Sequence, residues 1–275
     1  MPARAERLTL AQAVSRYVKD GDTVALEGFT HLIPFAAGHE VIRQGRRDLT
    51  LVRMTPDLIY DQMIGMGCAR KLIFSWGGNP GVGSLHRFRD AVENGWPRPL
   101  EIEEHSHAAM AAAYAAGASD LPFAVLRGYI GSELIKHNAH IKEIACPFSG
   151  ERLAAVPALR PDVAIVHAQQ ANRAGDVLIS GIAGVQKEAI LCASQAIATV
   201  EEFVDEFAHP PHSIVIPNWV LSAVCLVPGG AKPSYAHGYY QRDNAFYIEW
   251  DKISRDRDRF SAWMEENVMK APAHA

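Results

Sequence analysis

The amino-acid sequence predicts an α/β protein with an open, mostly parallel sheet and helices on both faces. Short apolar segments of strand length alternate with amphipathic segments of helical period along most of the chain, a pattern typical of parallel sheets covered on both sides. Apolar residues make up 48% and charged residues 21% of the 275 residues, so a large core can form. The sequence has no low-complexity linker, and residues 1–275 are therefore expected to form a single domain.

The predicted elements follow one another from the N-terminus. Thr9 and Gln12 have the spacing of a capping box, which starts the first helix, and Asp20-Gly21 ends it. The alternation then predicts strands at 23–26, 49–54, 69–76, 100–106, 122–128, 162–169, 196–200 and 213–217, and helices at 35–45, 56–65, 85–95, 108–118 and 184–195. Charges and aromatic residues are dense from 243 to 275, which predicts a helical C-terminal extension packed on the domain or on a partner.

The charge balance and the cysteines argue against several classes of protein. A net charge of -4 offers no basic stripe for nucleic acid. No apolar run approaches the length of a membrane span, and the N-terminal segment MPARAERLTLAQAV has no apolar core of a signal peptide. The four cysteines form no CxxC pair, so neither a disulfide framework nor a zinc site is expected; they are Cys68, Cys146, Cys192 and Cys225. We therefore expect a cytoplasmic protein without a bound metal or a permanently bound cofactor.

Two loops rich in glycine or small polar residues follow predicted strands, where open parallel sheets bind their ligands. The first is Gly28-Phe29-Thr30-His31. The second is 77–84, whose glycines let the backbone approach a ligand and whose following helix offers N–H groups to an anion; its candidate binding residues are Gly78, Asn79, Gly81, Gly83 and Ser84. Neither a Walker lysine nor a third dinucleotide-binding glycine follows, which argues against a dehydrogenase. The alternative for this segment is a tight turn capped by Ser84.

The fourth predicted strand and the residue that follows it carry carboxylates and histidines. Strand alternation puts Glu101 and Glu103 on one face, and Glu104 ends the strand, where it could act as a general acid or base beside His105 and His107. The alternative is structural, with Ser106 as the N-cap of the next helix. No further residues with metal-ligand spacing support metal binding by the two histidines.

The string Val92-Glu93-Asn94-Gly95 follows an amphipathic helix. Asn-Gly in that place is an ordinary left-handed helix stop. We therefore interpret Glu93 as the end of a helix and not as a nucleophile.

Long segments of the sequence carry a resemblance to a known family. They are VALEGFTHLIPFAAGHEVIRQG, LVRMTPDLIYDQMIG, KLIFSWGGNPGVGSLHRFRDAVENGWP, LEIEEHSHA, LPFAVLRGY, RPDVAIVHAQQANRAGDV and VPGGAKPSYAHGYYQRDNAFY. On these segments the chain resembles, nearly end to end, the A subunits of class I CoA-transferases of the glutaconate CoA-transferase type. The resemblance implies a CoA-transferase fold and an A2B2 assembly. It also implies ping-pong transfer of CoA from succinyl-CoA to 3-oxoadipate, in the catabolism of aromatic compounds, with the nucleophilic glutamate on the B subunit.

From the loop positions and the resemblance together we expect roles for particular residues. Loops 28–31 and 77–84 are expected to shape the acyl pocket, with Asn79 and Ser84 as hydrogen-bond partners of a distal carboxylate. Arg127 is a candidate charged partner, and the alternative is that it simply pairs within the structure. Many relatives carry a glycine where this chain has Glu27, which alters the floor of the first loop.

Three alternatives remain at the level of the sequence. The first is a CoA-transferase A subunit for glutaconate or another dicarboxylate. The second is a hydrolase subunit of steroid catabolism in which Glu104 activates water. The third is a ligand-sensing domain, although the chain shows no added DNA-binding segment.

Overall fold

The structure, a computed structural model, describes residues 5–271. Its strands are β1 (Glu6–Arg7), β2 (Thr23–Glu27), β3 (Leu49–Val52), β4 (Ala69–Phe74), β5 (Glu101–Glu104), β6 (Phe123–Leu126), β7 (Lys142–Ala145), β8 (Arg152–Pro157), β9 (Val163–Ala171), β10 (Val177–Ser180), β11 (Gln195–Phe203), β12 (Ser213–Ile216) and β13 (Ala223–Leu226). Its α-helices are α1 (Leu10–Tyr17), α2 (Phe35–Arg43), α3 (Leu58–Gly65), α4 (His86–Asn94), α5 (His107–Ala118), α6 (Leu134–His137), α7 (Gln186–Cys192), α8 (Asn244–Arg255) and α9 (Arg257–Met264). A 3-10 turn lies at Asn218–Val220 and a π-helical turn at Glu265–Met269.

Within residues 5–271, ten strands form one large sheet. Its main path has the order β1-β13-β11-β9-β2-β3-β4-β5, and every neighbouring pair on that path is parallel. β10 pairs antiparallel with both β9 and β12. The predicted open, mostly parallel sheet is confirmed.

Helices cover both faces of this sheet, as predicted. On β2, Val24 and Leu26 pack with residues of α1, α2 and α3, whereas Ala25 packs with residues of α5 and α7. Successive side chains of a strand point to opposite faces. An apolar run on a central strand therefore serves two cores at once.

The sixth strand differs from the sequence-based expectation. β6 does not continue the parallel sheet; it pairs antiparallel with β8, which pairs antiparallel with β7 in a separate three-stranded sheet. This small sheet packs its Ala154 and Val156 against Ala109 and Ala113 of α5. The apolar pattern of β6 shows that it is a strand, but the pattern does not identify its partner.

Two helix ends confirm local predictions. The Thr9 hydroxyl accepts a hydrogen bond from the Gln12 N–H at 3.2 Å, and the Gln12 side chain accepts one from the Thr9 N–H at 3.0 Å. The helix that they start ends at Tyr17, earlier than Asp20-Gly21. α4 ends at Gly95, whose φ of 69° is left-handed, so Glu93-Asn94-Gly95 is a helix stop.

The start of α4 differs from both interpretations of the sequence. Its N-cap is Leu85, which makes no side-chain cap, and Ser84 precedes it. The N–H groups of Arg87 and Phe88 instead donate to one carboxylate oxygen of Asp61, at 2.8 and 2.9 Å. The helix N-terminus that we expected to be open to a ligand anion is therefore occupied by an anion of the protein itself.

The C-terminal helices dock on the same domain. Trp250, Phe260, Met264 and Val268 are buried in the main core cluster, and the Trp250 indole N–H donates to the second oxygen of Asp61 at 3.0 Å. Burial raises the pKa of Asp61 to about 6, although all these donors oppose the shift. The described part of the predicted helical extension is thus an integral layer of the fold. None of the helices between residues 5 and 271 has the length and apolarity needed to span a bilayer.

Candidate active site

A cavity of about 250 Å³ lies beyond the carboxyl ends of β2, β3 and β4. Open parallel sheets bind ligands in this position because the loops that follow neighbouring strands converge there. Loop residues after the three strands form most of the lining, and the rest comes from the start of α5 and the segment around the start of α8. The lining residues are Phe29, Thr30, Ile33, Arg53, Thr55, Asp57, Trp76, Pro80, His107, Tyr235, Arg242 and Tyr247.

The loop after β2 is a tight turn with backbone strain. A Cβ on Gly28 would lie 2.6 Å from the carbonyl oxygen of Leu32, so the turn requires glycine. Thr30 and Leu32 have φ values of 61° and 52°, and such strain in non-glycine residues is concentrated at functional sites. Tyr235 stabilises the turn: its carbonyl accepts from the Leu32 N–H at 2.9 Å, and its hydroxyl lies 3.2 Å from the Thr30 hydroxyl.

An ion pair forms the floor of the cavity. Arg53 Nη1 donates to Asp57 Oδ1 at 3.0 Å, and Arg53 Nη2 donates to the Gly28 carbonyl at 3.0 Å. Each of the two side chains is at most 2% exposed. Among residues 5–271, Arg53 Nε and Asp57 Oδ2 have no hydrogen-bond partner, which is rare for buried polar atoms. Both atoms are themselves buried, although other parts of the two side chains line the cavity.

Glu27 lies beneath the first loop and does not line the cavity. It is 3% exposed, and one of its oxygens accepts from the Tyr114 hydroxyl at 2.8 Å and the Met54 N–H at 3.1 Å. Burial raises its pKa to about 7, against the opposing charge of Arg53. Strand alternation points this carboxylate towards α5. Glu27 therefore does not contribute to the cavity wall, which its neighbours form.

Of the predicted residues in the first loop, Phe29 and Thr30 line the cavity and Gly28 forms the turn. His31 points elsewhere. Its Nε2 lies 2.7 Å from the Ile182 carbonyl oxygen, and its ring stacks on Tyr235 with centroids 5.0 Å apart. Burial lowers its pKa. His31 therefore faces a neighbouring cleft and not the cavity.

The glycine-rich segment 77–84 folds back as a small antiparallel turn between Asn79 and Gly83. Pro80 lines the cavity, whereas the Asn79 amide is buried and donates to the Tyr247 carbonyl at 2.7 Å. The Asn79 NH2 group, which we expected to donate to a substrate carboxylate, thus donates to the protein backbone. Gly78 packs on Trp76, exposed Gly81 and Gly83 have positive φ, and Ser84 is half-buried outside the lining.

Glu104 lies in a separate cleft. It is exposed at the end of the edge strand β5 and lines a space of about 300 Å³ together with His137 and His140. The two histidines next to it in the sequence lie in different places. His107 lines the main cavity, and His105 is buried.

Glu103 is the buried carboxylate of this cleft. It accepts from Lys71 at 2.8 Å and lies 2.9 Å from His105 Nε2, and Lys71 also binds Glu101 at 2.9 Å, as the predicted alternation requires. Burial acts to raise the pKa of Glu103, but the hydrogen bonds from His105 and Lys71 outweigh it and hold the pKa at about 2. Ser106 caps α5 by accepting from the Ala109 N–H at 3.2 Å, which confirms the structural interpretation of that serine.

Arg127 does not belong to either site. It follows β6 in the small sheet, its side chain is 80% exposed, and it pairs with Glu151 at 2.8 Å. Arg127 therefore makes a structural ion pair and does not line the cavity. The segment that follows it packs on the carboxyl end of β5, where the Tyr129 hydroxyl accepts from the Ser106 N–H at 2.8 Å.

Sequence reasoning missed three contributors to the cavity in particular. Arg53 and Asp57 stand four residues apart directly after a strand, which is a signal that could have been used. Arg242 and its neighbours come from the segment after β13, far away in the sequence, and nothing in their local pattern indicates the cavity.

The chain belongs to the coenzyme A transferase family, whose sequence profile, described as "Coenzyme A transferase", matches residues 7–226. The resemblance found in the sequence is thereby confirmed, in preference to a ligand-sensing domain.

Several relatives match most of the length of this chain. The A subunit of a 3-oxoadipate CoA-transferase from Pseudomonas knackmussii is 68% identical over 264 residues, which cover 96% of this chain and 94% of that protein. The A subunit of glutaconate CoA-transferase from Acidaminococcus fermentans is 34% identical over 97% of this chain and 89% of that protein. The crystal structure of the enzyme from that organism matches with a TM-score of 0.92 and 33% identity, covering 98% of this chain and 90% of that chain. The IpdA subunit of a cholesterol ring-cleaving hydrolase from Mycobacterium tuberculosis is 26% identical over 88% of this chain and 85% of that protein.

Proposed function

We propose that this chain is the A subunit of a CoA-transferase that moves CoA from succinyl-CoA to 3-oxoadipate in the cytoplasm. The observation that carries the proposal is the 68% identity, over 96% of the chain, with a protein named as that subunit. The chain works together with a B subunit, in an assembly of two A and two B chains. The CoA thioester is a substrate and not a resident cofactor.

The proposed reaction is a ping-pong exchange on a glutamate of the B subunit. Its carboxylate attacks the thioester carbonyl, CoA leaves as the thiolate, and a mixed anhydride forms. The thiolate then attacks the glutamyl carbonyl of that anhydride, which releases the free donor acid and leaves a glutamyl-CoA thioester. The acceptor acid repeats these steps in reverse and departs as the new acyl-CoA. Covalent catalysis of this kind divides one difficult exchange into easier steps.

Three carboxylates of this chain are poorly suited to that nucleophilic role. Asp57 is held by Arg53 in a buried ion pair, and Glu27 is buried away from the cavity with two hydrogen-bond donors on one oxygen. Glu93 lies at the end of α4 and pairs with Arg89 at 2.9 Å. A nucleophile must reach the thioester carbonyl with a free oxygen, and these constraints support its placement on the partner.

The cavity beyond β2 to β4 is the proposed acyl site. Its walls are mainly apolar, with Phe29, Trp76 and Pro80 among them, and its volume of about 250 Å³ is just below the range of pockets that hold drug-sized ligands. It therefore suits a short acyl group and not the whole CoA moiety. In this proposal the loops 28–31 and 77–84 act through their shape, and the B subunit closes the cleft.

The second candidate function is hydrolysis of an acyl-CoA, with Glu104 activating water. It is favoured by the position of Glu104 in a cleft with His137 and His140 and by the 26% identity to the hydrolase subunit. The much higher identity to a transferase subunit supports CoA transfer as the first candidate function. Glutaconate or another dicarboxylate is the corresponding alternative for the acceptor.

The test is reconstitution from separate subunits. When purified without its partner, the chain should show no CoA transfer between succinyl-CoA and 3-oxoadipate, and addition of the B subunit should produce 3-oxoadipyl-CoA and succinate in equal amounts. Robust transfer in the absence of the B subunit would contradict the assignment of the nucleophile. Release of free CoA in place of a new thioester would establish hydrolysis, and transfer to glutaconate but not to 3-oxoadipate would change the acceptor.

A further inference from the structure

One cation in the acyl cavity has no acidic partner. Arg242, in the segment between β13 and α8, is half-buried and lines the cavity. Its Nη2 donates to the Pro80 carbonyl at 2.7 Å, and its guanidinium lies 3.8 Å from the centre of the Tyr247 ring. It forms no salt bridge with any carboxylate of residues 5–271. An arginine carries five N–H donors, and those that no protein acceptor takes up can donate to a bound anion.

The other charges of the cavity wall compensate each other. Arg53 and Asp57 form an ion pair at 3.0 Å with both side chains nearly fully buried. Burial raises the pKa of Asp57, with the nearby charge of Arg53, and more weakly of Arg242, opposing the shift. The floor pair is close to neutral overall, and Glu27 lies behind it, outside the lining. Arg242 is therefore the arginine of the lining that forms no salt bridge with a carboxylate of residues 5–271.

The geometry of Arg242 is suited to a carboxylate. A guanidinium presents a planar fork of donors that matches two carboxylate oxygens. Stacking on Tyr247 and the bond to Pro80 hold that fork in one orientation, which lowers the entropy cost of binding. The neighbouring wall is apolar, so an ion pair there is screened less than on the surface.

We propose that Arg242 binds the distal carboxylate of a dicarboxylic acyl group and thereby selects dicarboxylic over monocarboxylic acyl-CoA substrates. The inference rests on the proposed function of this cavity. Arg242 thus takes the role that was expected for Arg127 and Asn79. Arg127 is paired outside the cavity, and the Asn79 amide donates to the Tyr247 carbonyl. Multiply charged CoA phosphates fit this site less well, because it offers a single unpaired cation in a small space.

The test compares two substrates that differ at one group. The A–B complex is assayed with 3-oxoadipyl-CoA and with 3-oxohexanoyl-CoA, which carries a methyl group in place of the distal carboxylate, using succinate as the common acceptor. In Arg242→Gln, kcat/KM should fall about 100-fold for the dicarboxylic substrate, as expected for a lost charge-assisted bond in a water-poor site. It should change less than about threefold for the monocarboxylic one. Arg242→Lys keeps the charge but loses the planar pair of donors, so its kcat/KM for the dicarboxylic substrate should fall about tenfold.

The matched control is Arg259→Gln. Arg259 is an exposed arginine of α9 that pairs with Glu249 at 2.8 Å, and its replacement should change neither kcat/KM. A thermal melt of each variant checks the fold.

The outcomes separate the inference from the proposed function. An equal fall for both substrates in Arg242→Gln, or no fall for either, would overturn the inference while leaving transfer intact. A wild-type complex that ignores 3-oxoadipyl-CoA but uses another dicarboxylic acyl-CoA in an Arg242-dependent way would overturn the choice of substrate and support the inference. A wild-type preference for the monocarboxylic substrate would overturn both.

Discussion

Two glutamates at the carboxyl edge of the same sheet are buried with opposite consequences. Glu27 ends β2, where its hydrogen-bond donors are a phenol and a backbone N–H, and burial raises its pKa to about 7. Glu103 lies near the end of β5, where Lys71 and His105 hold its pKa at about 2 in spite of burial. The charge and number of the partners, and not burial alone, decide whether a buried carboxylate is ionised.

The difference also separates the two concave sites. The cavity is built over a floor that compensates its own charge, with Glu27 set behind it, and leaves Arg242 as the group open to an anion. The cleft beside β5 places Lys71 and the His105 ring against Glu103 and exposes Glu104 to solvent. The first arrangement is suited to holding an acidic substrate, and the second keeps an acid ionised.

The largest expected effect concerns Glu27. Its folded pKa is raised from 4.5 to about 7, so the folded state binds more protons between these values and the wild-type protein loses stability as pH rises through this window. The shift corresponds to about 3 kcal/mol. Glu27→Gln keeps both acceptor bonds and removes the charge. Its melting temperature relative to wild type should therefore rise by roughly 5–10 °C between pH 4.5 and pH 8. A constant difference across this range would show that Glu27 is already ionised at low pH.

Glu103→Gln should show the opposite dependence on pH with a smaller magnitude. Its folded pKa is depressed from 4.5 to about 2, so the charge stabilises the fold above pH 4.5 and this contribution disappears as pH falls towards 2. After allowance for solvent screening, the variant should be less stable than wild type by about 1–2 kcal/mol at pH 7. The difference in unfolding free energy between the variant and wild type, measured with denaturant, should be smaller at pH 3.5. A difference that widens on acidification would contradict the ion-pair account.

The smallest expected effect is that of Glu104→Ala. An exposed side chain contributes within about 0.5 kcal/mol of stability, and in a transferase the replacement should lower CoA transfer by less than about tenfold. Glu266→Ala, at an exposed acid of the C-terminal π-helical turn, is the matched control. Loss of turnover in Glu104→Ala alone, with folding intact, would move the chemistry to the cleft and favour hydrolysis.

The sequence predicts the first half of the fold well because its evidence is local. Each strand from β2 to β5 is followed by its own helix, so periodicity identifies the elements, and parallel order places their loops at one edge. Capping at Thr9 and the stop at Gly95 depend on neighbouring residues and are likewise predictable. The expected place of β6 in the parallel sheet is wrong because its pairing with β8 depends on a strand that comes later in the chain.

The candidate site divides in the same way. Phe29 and Thr30 line the cavity and follow a strand that the sequence reveals. Tyr235 and Arg242 reach it only through tertiary packing: one braces the strained loop, and the other rests on Tyr247. His31 and Asn79 lie in the predicted loops, but their side chains make bonds that turn them away from the cavity. Loop position can be predicted from the sequence, whereas side-chain direction cannot.

The segment from Tyr235 into the helix that begins at Asn244 does more than close the core. The match to the family profile ends at residue 226, yet Tyr235, Arg242 and Tyr247 lie beyond it and build one side of the cavity. The common scaffold and the cation proposed to recognise the acyl group are therefore carried by different stretches of the chain. If Arg242 recognises the acyl group as proposed, a change of acyl preference requires a substitution beyond the profile, while the strained turn, the floor pair and the sheet beneath them stay as they are.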